Sequence, residues 1–392
     1  MNATLRSFRD FFVSLQLTVW LLILSMILVF VATLDQVNLG IWAVQAKYFR
    51  SFAVLWQIPD SNVSIPVFPG GYFIGGLLLI NLIAAHVYRF SFTWKKSGIQ
   101  LAHAGLILLL LGELFTGLMS QESFMRLDTG ETKHYSESFS ANELVLIDHS
   151  DPKTDLVVAI PEAALADKKS IQHKDLPFRV DVKEYYPNTN LMRVGPFAGP
   201  RPVATQGFGT NLVLTPEKIT YKPNERNVPG AYVEIVAPEG SQGIWLASQM
   251  LAQPQTFTYG GKQWEIALRQ TRTYKPFALT LLKFSHDKYP GTEIPKNFSS
   301  RVRLKGDDGK EDREALIFMN NPLRYGGYTF YQAGFDNNDT TTVLQVVRNP
   351  SWLLPYIACI MMGLGLCIQF GITLAGFIRK RSAANASATN AA

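Results

Sequence analysis

The chain has 392 residues, enough for two domains, and 47% of them are hydrophobic against 17% charged. Its formal charge of +6 would suit a nucleic-acid partner, but the basic residues cluster in short flanks of apolar runs, and that class is set aside. The two cysteines, Cys359 and Cys367, share one apolar run near the C-terminus, which excludes a disulfide framework or a thiolate metal site elsewhere. Both read as buried structural cysteines.

Residues 1–10 mix Arg6 and Arg9 with phenylalanine and read as a cytoplasmic N-terminus lying at the membrane interface. Residues 11–34 carry no charge before Asp35, and they are too long for a signal peptide, so they read as transmembrane helix 1. Residues 35–71 hold Trp42, Tyr48, Phe49, Phe52 and Trp56, broken by Pro59, Pro66 and Pro69, the pattern of an extracytoplasmic loop at headgroup level.

Residues 72–88 and 98–119 predict transmembrane helices 2 and 3, joined by a basic cytoplasmic loop at 89–97 with Arg89, Lys95 and Lys96. In the second span Gly75 and Gly76 allow close helix approach, and Asn81 can hydrogen-bond to a neighbour. In the third, Gly98, Gly105 and Gly112 recur every seven residues and so fall within about 40° of one another, a seam for tight packing. His103 then points about 160° away from Gly105. If the seam packs on the chain's own helices, the imidazole faces another subunit, because lipid is a poor surrounding for it. His86 and Glu113 are the other ionisable groups in this hairpin.

Beyond Ser120 the pattern changes to period two. Alternating runs at 144–147, 178–184, 232–236, 264–268, 279–284, 301–304, 315–319, 328–332 and 343–347 predict strands, with glycine turns at 260–261, 290–291, 308–309 and 326–327. Short helices are predicted at 161–168 and 244–251. Residues 120–350 therefore read as a β-rich extracytoplasmic domain, sandwich-like or barrel-like. Its four histidines, at 134, 149, 173 and 286, are scattered and read as surface or packing residues.

Residues 352–378 predict transmembrane helix 4, and 379–392 a disordered cytoplasmic tail opening with Arg379, Lys380 and Arg381. Eight basic residues and one acid, Asp10, occupy the three flanks that share a side in a four-span chain, leaving about −1 for the remainder. The fold class expected is thus four transmembrane helices plus a large β-rich extracytoplasmic domain, lying in a periplasm or its equivalent.

Two segments carry a resemblance. WKKSGIQLAHAGLILLLLG at 94–112 and NNPLRYGGYTFYQ at 320–332, within an order of three spans, an exported β-rich domain and a last span, resemble the ResB (CcsB) family of system II cytochrome c biogenesis. Residues 120–300 match by layout and not by motif. The resemblance implies a membrane subunit that, with a ResC (CcsA) type partner, carries haem across the membrane and supports its attachment to apocytochrome c, as the non-catalytic or co-catalytic half of a cytochrome c synthase. The seven tryptophans form no cluster, so the partner's tryptophan-rich haem-handling loop is not in this chain.

By the same resemblance His103 is an axial ligand of a haem b shared with the partner, an imidazole being a suitable donor to haem iron. His86 departs from the family pattern and stands open as a second ligand, a hydrogen-bonding neighbour or a snorkelling side chain. For 320–332, Gly326-Gly327 closing an aromatic-packed hairpin stands beside contact of Arg324, Tyr325, Tyr328, Phe330 and Tyr331 with partner or substrate. Lacking exported cysteines, the chain leaves thiol reduction to the thiol-disulfide oxidoreductases of the pathway. Two other functions compete: a b-type redox subunit with His86 and His103 on one haem, and a cofactor-free membrane-anchored scaffold.

Overall fold

The computed structural model describes residues 3–58, 63–88, 93–152, 154–195, 202–220, 226–291, 295–336 and 340–389. Pro59 and, from the basic loop, Arg89 lie outside the described residues. The chain forms a helical unit, Met1–Ser120 with Asn349–Ala392, and a β unit, Gln121–Thr220 with Asn224–Arg348.

The helical unit begins with α1 (Ala3–Phe12) and α2 (Leu15–Val44), a π-helical turn at Gln45–Phe49, and a hairpin of β1 (Ala53–Gln57) and β2 (Ser64–Pro69). It continues with α3 (Gly71–Tyr88), a 3₁₀ turn at Trp94–Lys96, and α4 (Ser97–Met119). The β unit holds β3 (Gln121–Asp128), β4 (Thr132–Asp148), β5 (Leu156–Pro161), α5 (Glu162–Ala166), β6 (Ser170–Ile171), β7 (Arg179–Tyr186), β8 (Thr189–Arg193) and β9 (Leu212–Pro216). It goes on through β10 (Gly230–Ala237), β11 (Gly240–Ser248), β12 (Gln255–Tyr259), β13 (Lys262–Lys288), β14 (Pro295–Gly306), β15 (Asp312–Phe318), β16 (Leu323–Tyr325), β17 (Tyr328–Asp336) and β18 (Thr341–Arg348). The final helix, α6 (Leu354–Thr389), belongs to the helical unit.

Four helical stretches are long and apolar enough to cross a membrane: Leu15–Ile41, Gly71–Tyr88, Trp94–Met119 and Leu354–Ala383. Several boundaries differ from the sequence prediction. The helix expected to end at residue 34 continues to Val44, into the stretch expected to be loop, and kinks at Gly40, whose φ is +72°. Asp35 does not stop it because its charge is satisfied locally: Lys47 Nζ donates to Oδ2 at 2.7 Å and Tyr48 OH at 2.9 Å. The tail expected to be disordered is helical through Thr389, consistent with its alanine content and alanine's high helix propensity.

The predicted glycine seam packs against α6. A Cβ at Gly98 would lie 2.5 Å from Gly365 O and from Gln369 N; one at Gly105 would lie 2.9 Å from Ala358 O; one at Gly112 would lie 3.0 Å from Leu354 Cβ. Gly365 reciprocates against Ala102 and Gly98. By contrast Gly75 and Gly76 have nothing near a would-be Cβ, so the close approach expected there is absent. Helix α3 packs instead through Ile74 into a core with Leu21, Leu28 and Ala32 of α2, closed by Tyr48 and Val54. Cys359 and Cys367 are exposed on α6, not buried as expected.

In the β unit one antiparallel sheet runs β15-β14-β13-β4-β3-β18-β17-β16, with β12 beside β13 and β5 beside β4; a second runs β11-β10-β7-β6, and β8 pairs β9. The 27-residue β13 merges two predicted strands. Its first part, with Trp264, Ile266 and Leu268, shares a core with Val180, Val182, Val233 and Ile235 of the smaller sheet. Its second part, with Phe277, Leu279 and Leu281, shares another with Val302, Leu304, Phe330 and Leu344. The helix predicted at 161–168 exists as α5, whereas 244–251 falls largely in β11. A short apolar run such as Ile244–Ser248 has no periodicity to separate strand from buried helix.

Candidate functional site

Because α4 is pinned to α6 by backbone-close glycines, its rotation is fixed, and with it the direction of His103. That residue is exposed, on the side away from the seam. Its Nδ1 lies 2.8 Å from Ile99 O. A carbonyl only accepts, so Nδ1 carries a proton, and in the neutral imidazole Nε2 is then the nitrogen that can ligate a metal. Ile99 and Leu106, one turn to either side, are exposed apolar neighbours.

Helix α3 is set by Asn81. Thr18 Oγ1 donates to Asn81 Oδ1 at 2.6 Å, and Asn81 Nδ2 donates to Phe12 O at 2.7 Å and Ser14 O at 3.1 Å. This buried amide ties α3 to the junction of α1 and α2, fulfilling the role expected of it. Five residues on, His86 is half-buried, and its ring centroid lies 6.4 Å from that of His103, with planes inclined at 35°. The structure therefore brings the two imidazoles together. His103 faces away from α6 as expected, but toward α3 rather than away from all its own helices.

The surroundings of the pair are apolar and basic. Ile83 and Val87 are exposed beside His86, and the 3₁₀ turn before α4 carries Lys95 and Lys96. Arg9 of α1 lies 5.7 Å over the Tyr88 ring. Glu113 is exposed ten residues along α4 from His103, about 15 Å at helical rise, so it is no part of this group.

The second predicted group, 320–332, forms the β16–β17 hairpin. Gly326 and Gly327 have φ of +58° and +79°, as its two-residue turn requires, and Tyr325 pairs with Tyr328, Leu323 with Phe330. Tyr325, Tyr328 and Phe330 ring Phe277 at centroid distances of 5.0, 6.1 and 6.0 Å, and Phe330 is 0% exposed. Phe330 is thus core and unavailable as a surface contact, a correction to its expected role. Arg324 and Tyr331 alternate to the exposed face.

Sequence reasoning missed Lys275. It is 4% exposed and sits over the Tyr328 ring at 4.3 Å, donating to Ser136 Oγ at 2.6 Å and Thr273 O at 3.2 Å. Burial pushes its pKa down to about 8. His149 was expected to be a surface or packing residue. It is exposed as expected, and in addition its Nδ1 meets Asp155 at 2.8 Å and its Nε2 meets Glu265 at 3.1 Å, raising its pKa. No local pattern announces either arrangement, since Ser136 and Tyr328 about Lys275, and Glu265 beside His149, are remote in sequence. With both nitrogens taken, His149 is a poor metal ligand, and among the described residues no group of three or more His, Cys, Asp or Glu is placed to hold a metal ion.

Residues 250–343 match the ResB-like family, a stretch that contains β12 to β17, Lys275 and the β16–β17 hairpin. The chain is also 26% identical over 299 residues to Protein NrfI of Wolinella succinogenes. That alignment covers 74% of this chain but 29% of NrfI, so the chain spans less than a third of the length of the curated relative it matches.

Proposed function

The comparisons support membership of the ResB-like family, and on that premise we propose that the chain is a membrane subunit of cytochrome c biogenesis that handles haem at the α3–α4 histidines. The four apolar helices are read as spans, with the basic flanks on the cytoplasmic face and the β unit outside. Haem is the cargo, and a ResC (CcsA) type membrane protein supplies the rest of its pocket and the second axial ligand. Apocytochrome c is served outside, its thiols kept reduced by separate oxidoreductases.

The observation that carries this reading is His103: an exposed imidazole amid apolar side chains, with Nδ1–H fixed by Ile99 O, so that Nε2 is the nitrogen left to meet a metal. The residues present fit haem in donor type and in the apolar character of the surrounding surface. This chain's part is to hold the imidazole in one tautomer and direction, while α6 and Asn81 keep α4 and α3 from rotating. Basic Lys95 and Lys96 suit carboxylate groups of such a cargo.

The test is co-purification of the chain with its partner and the haem absorbance spectrum of His103→Ala. Loss of haem and of cytochrome c maturation is expected; unchanged haem content and unchanged maturation would overturn the ligand role. The 6.4 Å between rings favours one further reading. In it His86 and His103 would together hold one haem within this chain, which would serve as the cofactor of a b-type redox subunit. In that case the chain purified alone retains stoichiometric haem with a bis-imidazole spectrum, lost equally in His86→Ala and His103→Ala.

A further inference from the structure

A cleft of about 520 Å³ opens in the β unit between β11, the turn after it, β4 and the first part of β13. Three guanidinium groups line it, those of Arg226, Arg269 and Arg272. Two are already matched. Arg269 Nε donates to Glu143 at 3.0 Å, and Arg272 Nε donates to Glu137 at 3.1 Å while its guanidinium lies 4.1 Å over the Tyr135 ring. The other lining acid, Glu265, is engaged by His149.

Arg226 differs. It donates to the amide oxygen of Gln249, and among the described residues no carboxylate forms an ion pair with it. Gln249 is held by donating to Asn142 Oδ1, and Asn142 in turn donates to Glu162 at 2.7 Å, so the amide is fixed and cannot turn away. Burial lowers the pKa of Arg226, with Glu137 opposing the shift, although an arginine stays charged throughout the physiological range. A guanidinium that among the described residues bonds only a neutral amide is well matched by an incoming anion.

We propose that this cleft binds a small monocarboxylate, its carboxylate taken by the Arg226 fork and the rest of the molecule lying along Leu251 and Pro254. The charge arithmetic of the lining selects one negative charge. Glu137 and Glu265 repel a dianion such as phosphate, while a single carboxylate supplies what Arg226 lacks and matches a guanidinium in two parallel hydrogen bonds. This site is independent of the α3–α4 histidines.

The experiment is calorimetric titration of the full-length, detergent-solubilised protein with benzoate and with its neutral counterpart benzamide. Saturable benzoate binding is expected, with benzamide weaker by about tenfold or more, the usual cost of a lost charge-assisted hydrogen bond. Arg226→Gln, on an exposed residue, should lower benzoate affinity to the benzamide level without moving the melting temperature, and Arg226→Lys should fall between. Equal binding of benzoate and benzamide, no saturable benzoate binding, or benzoate affinity untouched by Arg226→Gln would each overturn the proposal.

Discussion

The helical unit is locked where side chains are absent, and the β unit where they are largest. Gly98, Gly105 and Gly112 let α4 lie on α6 with backbone atoms within reach, whereas the lower core of the β unit is built around Phe277 and the three aromatic residues of one hairpin. The lesson is about what each unit tolerates. A helix seam fails by addition, a sheet core by subtraction.

The largest effect should come from subtraction. Phe330→Ala removes a fully buried ring and is expected to destabilise the β unit by about 3–5 kcal/mol in denaturant unfolding. Arg324→Ala, two residues from the turn on the exposed face of the same hairpin, should stay within about 0.5 kcal/mol. If Arg324 meets a partner or substrate, its loss lowers cytochrome c yield with the melting temperature unmoved. A comparable destabilisation by both substitutions would remove the distinction between core and contact drawn here.

Addition comes next. Gly98→Val places a Cβ 2.5 Å from two backbone atoms of α6, neither of which can swing aside, and should cost about 3 kcal/mol in detergent melting curves. Gly76→Ala meets open space and should be neutral or stabilising by up to about 1 kcal/mol, because alanine is the better helix former. Equal sensitivity at the two positions would mean that α3 has a tight neighbour of its own.

This contrast also explains how much was legible in advance. Seven-residue spacing makes a seam readable from sequence, because helical geometry alone puts those glycines on one face; Gly75 and Gly76, being adjacent, point 100° apart and make none. Alternation likewise revealed β4, β7, β10, β13, β14, β15, β17 and β18, half the strands of the β unit, and Gly326-Gly327 the hairpin. What stayed hidden depends on partners remote in sequence. The α2 extension needed Asp35 to find Lys47 and Tyr48, and the nearness of His86 to His103 needed both helix rotations. Nothing in the sequence singles out Lys275 or Arg226. Only the register of β13 on β4, and the meeting of β11 with the 265–272 wall, reveal that one is buried and the other faces a cleft.

The β unit also holds two cations whose titrations oppose each other. Lys275 has a folded-state pKa of about 8 against an ordinary 10.5, so between those values the unfolded chain binds more protons and stability rises with pH, by no more than about 3 kcal/mol. Lys275→Met should abolish that rise. Stability flat from pH 8 to 10.5 in the unsubstituted protein would show that the ammonium is better solvated than its burial implies.

His149 supplies the smallest effect and the opposite sign. Asp155 first, then Glu265, raise its pKa above the ordinary 6.5, so the stability it contributes is fully present below 6.5 and is lost as pH climbs through the raised value. With 38% of the side chain exposed, solvent screening keeps the contribution under about 1 kcal/mol. It is best read in the Lys275→Met background, where the rising limb is gone and a shallow fall above pH 6.5 should remain. Adding His149→Gln should flatten that fall. If the fall persists without His149, the carboxylates at 155 and 265 are not what holds its proton, and the clamp drawn from their distances is only geometry.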